Sequence, residues 1–322
     1  MKTIAVEEHF SVADATTSVP IAGPVGQYMA EVGKKLADLG EGRLAEMDAA
    51  GIRMQVLSLS AVDAAAGSGA SGAAADLARR SNDVLAEAVH RRPSRFAGFA
   101  ALPLQDPEEA AAELERCVAK LGFVGAMIDG SSDGLFLDNP RFEPILAAAE
   151  KLGAPIYLHP APPPGQVYKA YYGGLPEGVA HALSISGFGW HAEMGLHSLR
   201  LIVAGVFDRF PKLQMIIGHM GEFLPYCLAR SDLLLSRAAP HLRRRVGDYF
   251  RTNFHITTSG YFTLPPLLCA LSVLGADRIL FAVDYPYSPN AAGRTLLDSV
   301  PIPAADLEKI AHGNAERLLK LP

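Results

Sequence analysis

Strand-like runs alternate with helical stretches eight times along the chain, and that rhythm constrains the fold more than any other feature. The runs are TIAVEEHF (3–10), MQVLSLS (54–60), FAGFAAL (96–102), FVGAMID (123–129), APIYLHP (154–160), QMIIGHM (214–220), FHITTSG (254–260) and RILFAVD (278–284). Each is short and apolar, and the gaps between them are long enough for helical crossovers, as a parallel (β/α)8 barrel, the TIM barrel, requires. The gaps also carry helix grammar. In DPEEAAAELERCVAKLG (106–122), Asp106 stands as N-cap, Pro107 opens the helix, acids fill the first turn and Gly122 terminates it. GRLAEMDAAG (42–51), DNPRFEPILAAAEKLG (138–153) and AADLEKIAHGNAERLLKL (304–321) read the same way. A chain of 322 residues fits one barrel domain spanning 1–322, and no shift in composition argues for a second.

Two segments break the rhythm. AVDAAAGSGASGAAAD (61–76) is too poor in bulky residues to pack firmly and reads as a mobile loop after the second strand. Residues 160–190 far exceed an ordinary strand-to-helix connection and carry Tyr168, Tyr171, Tyr172, Phe188 and Trp190. Long connections at the carboxyl end of barrel strands hold specificity. This one therefore reads as a loop insertion, a lid or pocket wall on a distorted barrel. The plainer alternative is a surface excursion or an oligomer contact.

Hydrophobic residues make up 49% of the chain and charged ones 20%, so a large core can form. The net charge of −5, with both signs mixed, gives no polyanion-binding footprint, which argues against a nucleic-acid partner. No apolar run is long enough to span a bilayer, and the start shows no leader pattern. Cys117, Cys227 and Cys269 lie far apart in apolar sequence, as buried thiols of a reducing compartment do. The expectation is a soluble cytoplasmic protein.

The polar residues of the strands fall at one end. Consecutive strand residues face opposite ways, so in VEEHF Glu7 and His9 share a face and Glu8 takes the other. His159, His219 and Asp284 end the fifth, sixth and eighth strands, so all five converge on the carboxyl rim, where barrels keep their active sites. A lone strand histidine is usually a satisfied core residue. Two carboxylates and three imidazoles buried together without a cation would be costly, and a divalent metal held by nitrogen and oxygen donors is the economical reading, with Glu7 and His9 as its first two ligands. Two-metal barrels bridge their ions with a carboxylated lysine on the fourth strand. Here that strand reads MIDG, with Asp129 and no lysine, so one ion is expected.

The EEHF start, YLHP, GHMGE and VDYP, with LPLQDPEEAAAELERCVAKLGFVGA between them, resemble the amidohydrolase superfamily. More narrowly they are similar to its nonoxidative decarboxylases of γ-resorcylate and 2,3-dihydroxybenzoate. That resemblance implies Glu7, His9, His159 and Asp284 as ligands of one zinc or manganese ion, His219 as an acid/base residue beside it, and Glu222 as its orienting partner. It also implies that Arg230, in PYCLARSD, reaches a neighbouring subunit's substrate carboxylate, which requires a homodimer or homotetramer. The Glu-x-His start favours the decarboxylases, since hydrolytic relatives more often begin His-x-His or Asp-x-His. PAPPPGQVYKAYYGGLPEG departs from the decarboxylase loops and leaves the ring pattern of the substrate open.

The expected reaction is loss of carbon dioxide from an ortho-hydroxylated aromatic carboxylate, with Asp284 or His219 protonating the ring carbon and Asp284 preferred. The alternative is hydrolysis of a lactone or amide, in which a metal-bound water is the nucleophile and Asp284 the base. Tyr172, Trp190, His191 and Ser288 are candidate substrate contacts, with Asn290 beside the last. His255 reads as a core histidine, His181 and His197 as helix or surface residues, and HLRRR (241–245) as a solvated helix face or subunit contact.

Overall fold

A computed structural model describes residues 1–12, 23–60 and 71–322. Its eight strands lie in chain order in one parallel sheet: β1 (Ile4–Phe10), β2 (Met54–Leu59), β3 (Phe96–Ala100), β4 (Gly125–Asp129), β5 (Ile156–His159), β6 (Met215–Ile217), β7 (Phe254–Thr257) and β8 (Ile279–Leu280). Each lies within its expected run, cut short where the chain leaves the ladder to build the rim. The ladder of β8 is two residues long, yet the chain beyond it closes the barrel onto β1. Val6 N donates to Phe281 O at 3.1 Å, Asp284 N to Glu7 O at 2.9 Å and His9 N to Tyr285 O at 2.7 Å.

Apolar side chains fill the barrel interior, among them Ile4, Val6, Val56, Phe99, Tyr157 and Ile216, with Ala315 and Leu319 of the last helix packed into the same cluster. A larger cluster, including Ala5, Leu57, Phe96 and Ile128, packs the outer faces of the strands against the helices. β1 changes faces partway along. Ala5 pairs with Gln55 but Glu8 with Leu57, so β1 holds one residue more than β2 over that span. Below this bulge Ile4 and Val6 point inward; above it the inward residues are Glu7 and His9, and Glu8 turns toward Gln55 and the strand beyond β8. Bulges re-aim side chains in this way beside active sites.

The helix grammar holds where caps were explicit. The Asp106 carboxylate accepts from Glu109 N at 3.1 Å, and Gly122 ends that helix at φ 72°. Residues 138–153 begin with a tight turn, Pro140–Phe142, before the helix Glu143–Leu152, and the last expected helix is interrupted by a wider turn at Lys309–Gly313.

Three expectations are corrected. The insertion is helical, not a loop: Gly165–Tyr172 and Glu177–Ser184 are helices, and Gly189–Val203 begins inside it. Gly173 and Gly174 separate the first two, and Pro176 followed by Glu177 starts the second with the signal used elsewhere in the chain. Within 61–76, residues 71–76 open the helix Ser71–Arg91, because alanine favours helix over loop, while 61–70 lie outside the described residues. HLRRR is a turn preceding the helix Val246–Asn253, with Arg245 paired to Asp232 and Arg244 stacked 4.1 Å over Tyr249. No helix among the described residues is long and apolar enough to cross a membrane.

Candidate metal centre and proton relay

Four side chains from three parts of the barrel meet at its carboxyl rim. Glu7 and His9 come from β1, His159 from the end of β5 and Asp284 from the chain after β8, and each offers a donor atom within 4.8 Å of the others. His9 Nε2 lies 3.2 Å from Asp284 Oδ1, and His159 Nε2 lies 3.6 Å from Glu7 Oε1. Each is held from behind. His9 Nδ1 is 3.2 Å from Ser58 Oγ, and His159 Nδ1 is 2.8 Å from Asp129 Oδ1. Glu7 Oε2 accepts from Tyr157 Oη and, at 3.0 Å, from Thr257 Oγ1. These partners turn both imidazole Nε2 atoms and Glu7 Oε1 inward.

Glu8 holds the fourth corner without touching it. Its fully buried carboxylate accepts from Val283 N at 2.8 Å and Tyr285 N at 3.0 Å, the two amides flanking Asp284. Asp284 has φ 72°, a conformation that side-chain-bearing residues avoid, so this clamp supports a strained turn. Buried Arg43 bonds His9 O at 2.7 Å and Gln55 Oε1 at 3.2 Å, and its guanidinium lies 4.8 Å over the Tyr285 ring.

The donor set fits a divalent cation. Glu7 Oε1, His9 Nε2 and Asp284 Oδ1 are buried and have no hydrogen-bond partner among the described residues, though polar atoms so enclosed almost always have one. Two carboxylate oxygens and two imidazole nitrogens facing one point satisfy each other only through a positive charge between them, and oxygen with nitrogen donors suits manganese or zinc. In the protein alone that charge must come from protons. Burial opposes protonation of His159, but Asp129, Glu7 and Asp284 outweigh it and raise its pKa to about 8. Burial likewise opposes ionisation of Asp284, yet His219 and His9 hold it below the usual carboxylate range. A bound dication would take over the role of those protons.

Beside this cluster the GHMGE segment builds a second one. His219, Met220, Gly221, Glu222 and Phe223 all have positive φ, from 51° to 85°, a left-handed turn that folds Glu222 back onto His219. His219 Nδ1 is 2.7 Å from Glu222 Oε1, and its Nε2 faces Asp284 Oδ2 at 3.9 Å and Glu7 Oε1 at 3.8 Å. Gly218 is required before it, since a Cβ there would lie 2.9 Å from Glu7 Oε2. The other oxygen of Glu222 is taken by His191, whose Nδ1 lies 2.7 Å from Oε2. Burial resists ionisation of Glu222, but the charge of His219 and the hydrogen bonds from His191 and His219 keep its pKa below the ordinary value.

Of the other residues expected at the substrate, His191 is 4% exposed and both its ring nitrogens face protein oxygens, so it supports Glu222 rather than presenting a free nitrogen to a ligand. Trp190 is half-buried beside it, Tyr172 packs among the tyrosines of the insertion, and Ser288 N bonds Asp284 O at 3.0 Å. Arg230 is exposed on the helix Leu224–Ala238. Sequence reasoning did not single out Tyr157, Thr257, Ser58, Glu8 or Arg43. Tyr157 had a signal, standing two residues before His159 and so on the same face of β5. Tyr287 was also missed; its ring lies 5.6 Å from that of His9 and its hydroxyl 2.8 Å from Ser60 Oγ.

A parallel barrel with such a donor cluster at its carboxyl rim defines the class of metal-dependent barrel enzymes. The chain belongs to the amidohydrolase family, which it matches over residues 9–321. It is 43% identical over 330 residues to a γ-resorcylate decarboxylase of Rhizobium radiobacter, covering 99% of this chain and 98% of that one. A solved 2,6-dihydroxybenzoate decarboxylase in complex with 2,6-dihydroxybenzoate superposes with a TM-score of 0.90 at 40% identity, covering 99% of both chains. A dihydroxybenzoic acid decarboxylase of Polaromonas sp. JS666, solved with manganese and the inhibitor 2-nitroresorcinol, gives 0.90 at 38%, covering 99% of this chain and 97% of that one.

Proposed function

We propose that this protein is a metal-dependent nonoxidative decarboxylase of dihydroxybenzoates, with Glu7, His9, His159 and Asp284 holding one manganese ion. The observation that carries the reading is the set of orphaned donor atoms at the rim, in a chain 43% identical to a γ-resorcylate decarboxylase. When bound, the ion supplies positive charge that stabilises the substrate's carboxylate and ortho-phenolic oxygens.

The protein's own groups manage the proton. Asp284 divides its two oxygens, Oδ1 toward His9 and Oδ2 toward His219 Nε2. In our reading the proton carried by His219 Nε2 passes through Asp284 Oδ2, which is protonated only in transit, to the ring carbon bearing the carboxylate; the C–C bond then breaks, its electron pair restores the aromatic ring, and carbon dioxide leaves. His219 resupplies the proton through Nε2, its ring fixed by the bond from Nδ1 to Glu222. Trp190, Tyr172, Tyr287 and Ser288 are assigned to the wall around the substrate ring.

Arg230 is assigned to the substrate carboxylate of a second subunit in a homodimer or homotetramer. Exposed Tyr226, Leu233 and Leu234 on the same helix support a subunit contact there. Three unpaired cysteines agree with a reducing cytoplasm, where such an enzyme would serve the catabolism of aromatic acids.

The test is carbon dioxide release from 2,6-dihydroxybenzoate and a panel of ortho-hydroxybenzoates, comparing manganese-loaded with chelator-stripped protein. Release that needs the metal is expected. Turnover of lactones or amides with no release from any benzoate would overturn the reading.

A further inference from the structure

His191 is tied at both ends. Its Nδ1 lies 2.7 Å from Glu222 Oε2, and its Nε2 lies 3.2 Å from the backbone carbonyl of Ser186, in the turn between the insertion helix Glu177–Ser184 and the helix Gly189–Val203. The ring is 4% exposed, packed edge-on against His219 with centroids 4.7 Å apart, and flanked by Tyr261 and Phe223. Glu222 therefore spans two imidazoles from different parts of the chain, His219 on the rim and His191 on the insertion. A carbonyl oxygen only accepts, so Nε2 of His191 donates to Ser186; an ionised Glu222 also accepts, so Nδ1 donates to it.

From this geometry we infer that His191 is a positioning residue that couples the seating of the insertion to the orientation of the Glu222–His219 pair. When the turn at Ser186 is in place, His191 is held against Glu222, and Glu222 in turn fixes the face that His219 presents to Asp284. When that turn lifts, His191 leaves with it, and Glu222 becomes a buried carboxylate bonded on one side only. The insertion thus acts on the proton relay through His191, with Phe188 of the same turn packed on Phe223 at 5.3 Å between centroids. The link is reciprocal, as any coupling between two equilibria must be, so disturbing Glu222 also loosens the turn at Ser186. The catalytic half rests on the decarboxylase reading; the coupling itself does not.

The two ties can be cut separately. An asparagine amide nitrogen falls near the place of Nδ1 and a glutamine amide nitrogen near that of Nε2. His191→Asn thus keeps the bond to Glu222 and loses Ser186, while His191→Gln does the reverse. On the manganese-loaded protein, kcat and KM are measured together with hydrogen exchange of amides 184–191. His191→Gln is expected to lower kcat on the order of tenfold more than His191→Asn, in the range seen when groups that orient catalytic ligands are lost. His191→Asn is expected to show the larger rise in exchange and in KM. Glu222→Gln, a change outside the insertion, is expected to speed exchange at 184–191 with melting temperature and metal content recorded beside it. The coupling is overturned if the two His191 variants match each other in both readouts, or if Glu222→Gln leaves exchange at 184–191 unchanged. Exchange requires no substrate, so failure of the decarboxylase reading alone would leave this part of the test intact.

Discussion

Replacing Glu8 by glutamine tests the claim that a residue outside the donor cluster shapes it. The wild-type carboxylate is fully buried and satisfies two backbone donors, Val283 N at 2.8 Å and Tyr285 N at 3.0 Å. Glutamine keeps the shape but has only one acceptor oxygen, so its amide nitrogen must face one of the two N–H groups. One buried donor is then unpaired, which costs about 1–3 kcal/mol. With an unfolding entropy of roughly 2.1 cal/mol/K per residue, that is a fall in Tm of about 1.5–4.5 °C for a chain of this length. The functional effect should be the larger one, because the two amides flank Asp284 and hold its turn at φ 72°. Losing half of the clamp lets Asp284 relax, and manganese affinity should drop on the order of 10- to 100-fold, as for other groups that orient metal ligands. Thermal melts of metal-stripped protein and a manganese titration measure the two effects apart. Glu8→Gln protein that melts with the wild type and binds manganese equally well would refute the reasoning.

Three further outcomes follow from the same geometry. Asp129→Ala frees His159 Nδ1 and should weaken manganese binding about 10- to 100-fold in the same titration, with little change in Tm because Asp129 lies at the rim. Tyr157→Phe removes the hydroxyl that Glu7 Oε2 accepts and should lower kcat and metal affinity while circular dichroism stays native, since the ring still fills the barrel interior. His197 is fully buried, accepts from Leu137 N at 3.0 Å and is held down to about 3 by burial, well below the value near ~6.5 of an unfolded histidine. The unfolded chain therefore takes up this proton first, so the contribution of His197 is present above about pH 6.5 and is lost as pH falls toward 3. Between pH 7 and 5, wild-type protein should lose about 2 kcal/mol more than His197→Gln in metal-stripped urea denaturation, at roughly 1.4 kcal/mol per unit of pKa displacement.

The barrel was legible because its signal is repeated: eight apolar runs and the grammar of Asp106, Pro107 and Gly122 each suffice locally, and they agree with one another. The ligand-type residues were legible because strand ends are where side chains leave the core for the rim. The helical insertion was not, since its prolines and glycines read as loop punctuation even though Pro176 and Glu177 mark a helix start. The anchors were harder still. Asp129 meets His159 from the neighbouring strand, Thr257 of β7 meets Glu7 of β1 past the closing strand β8, and His191 meets Glu222 across 31 residues, contacts that only the closed fold creates.

The bulge in β1 shows how near a correct reading can stand to a wrong one. Alternation correctly put Glu7 with His9 and against Glu8, because parity holds on one side of a bulge. Carried from Ile4 and Val6 without interruption, the same alternation would have turned Glu8 inward and left Glu7 and His9 outside. The extra residue between Ala5 and Glu8 reverses that, so the apolar lower half of the strand fills the barrel and the polar upper half enters the site. It also gives Glu8 its task, since the face that Glu7 and His9 leave is the one from which Val283 N and Tyr285 N can be reached. The consecutive acids of EEH are thus divided between two jobs by one backbone irregularity: Glu7 supplies a donor, and Glu8 fixes the turn that supplies another.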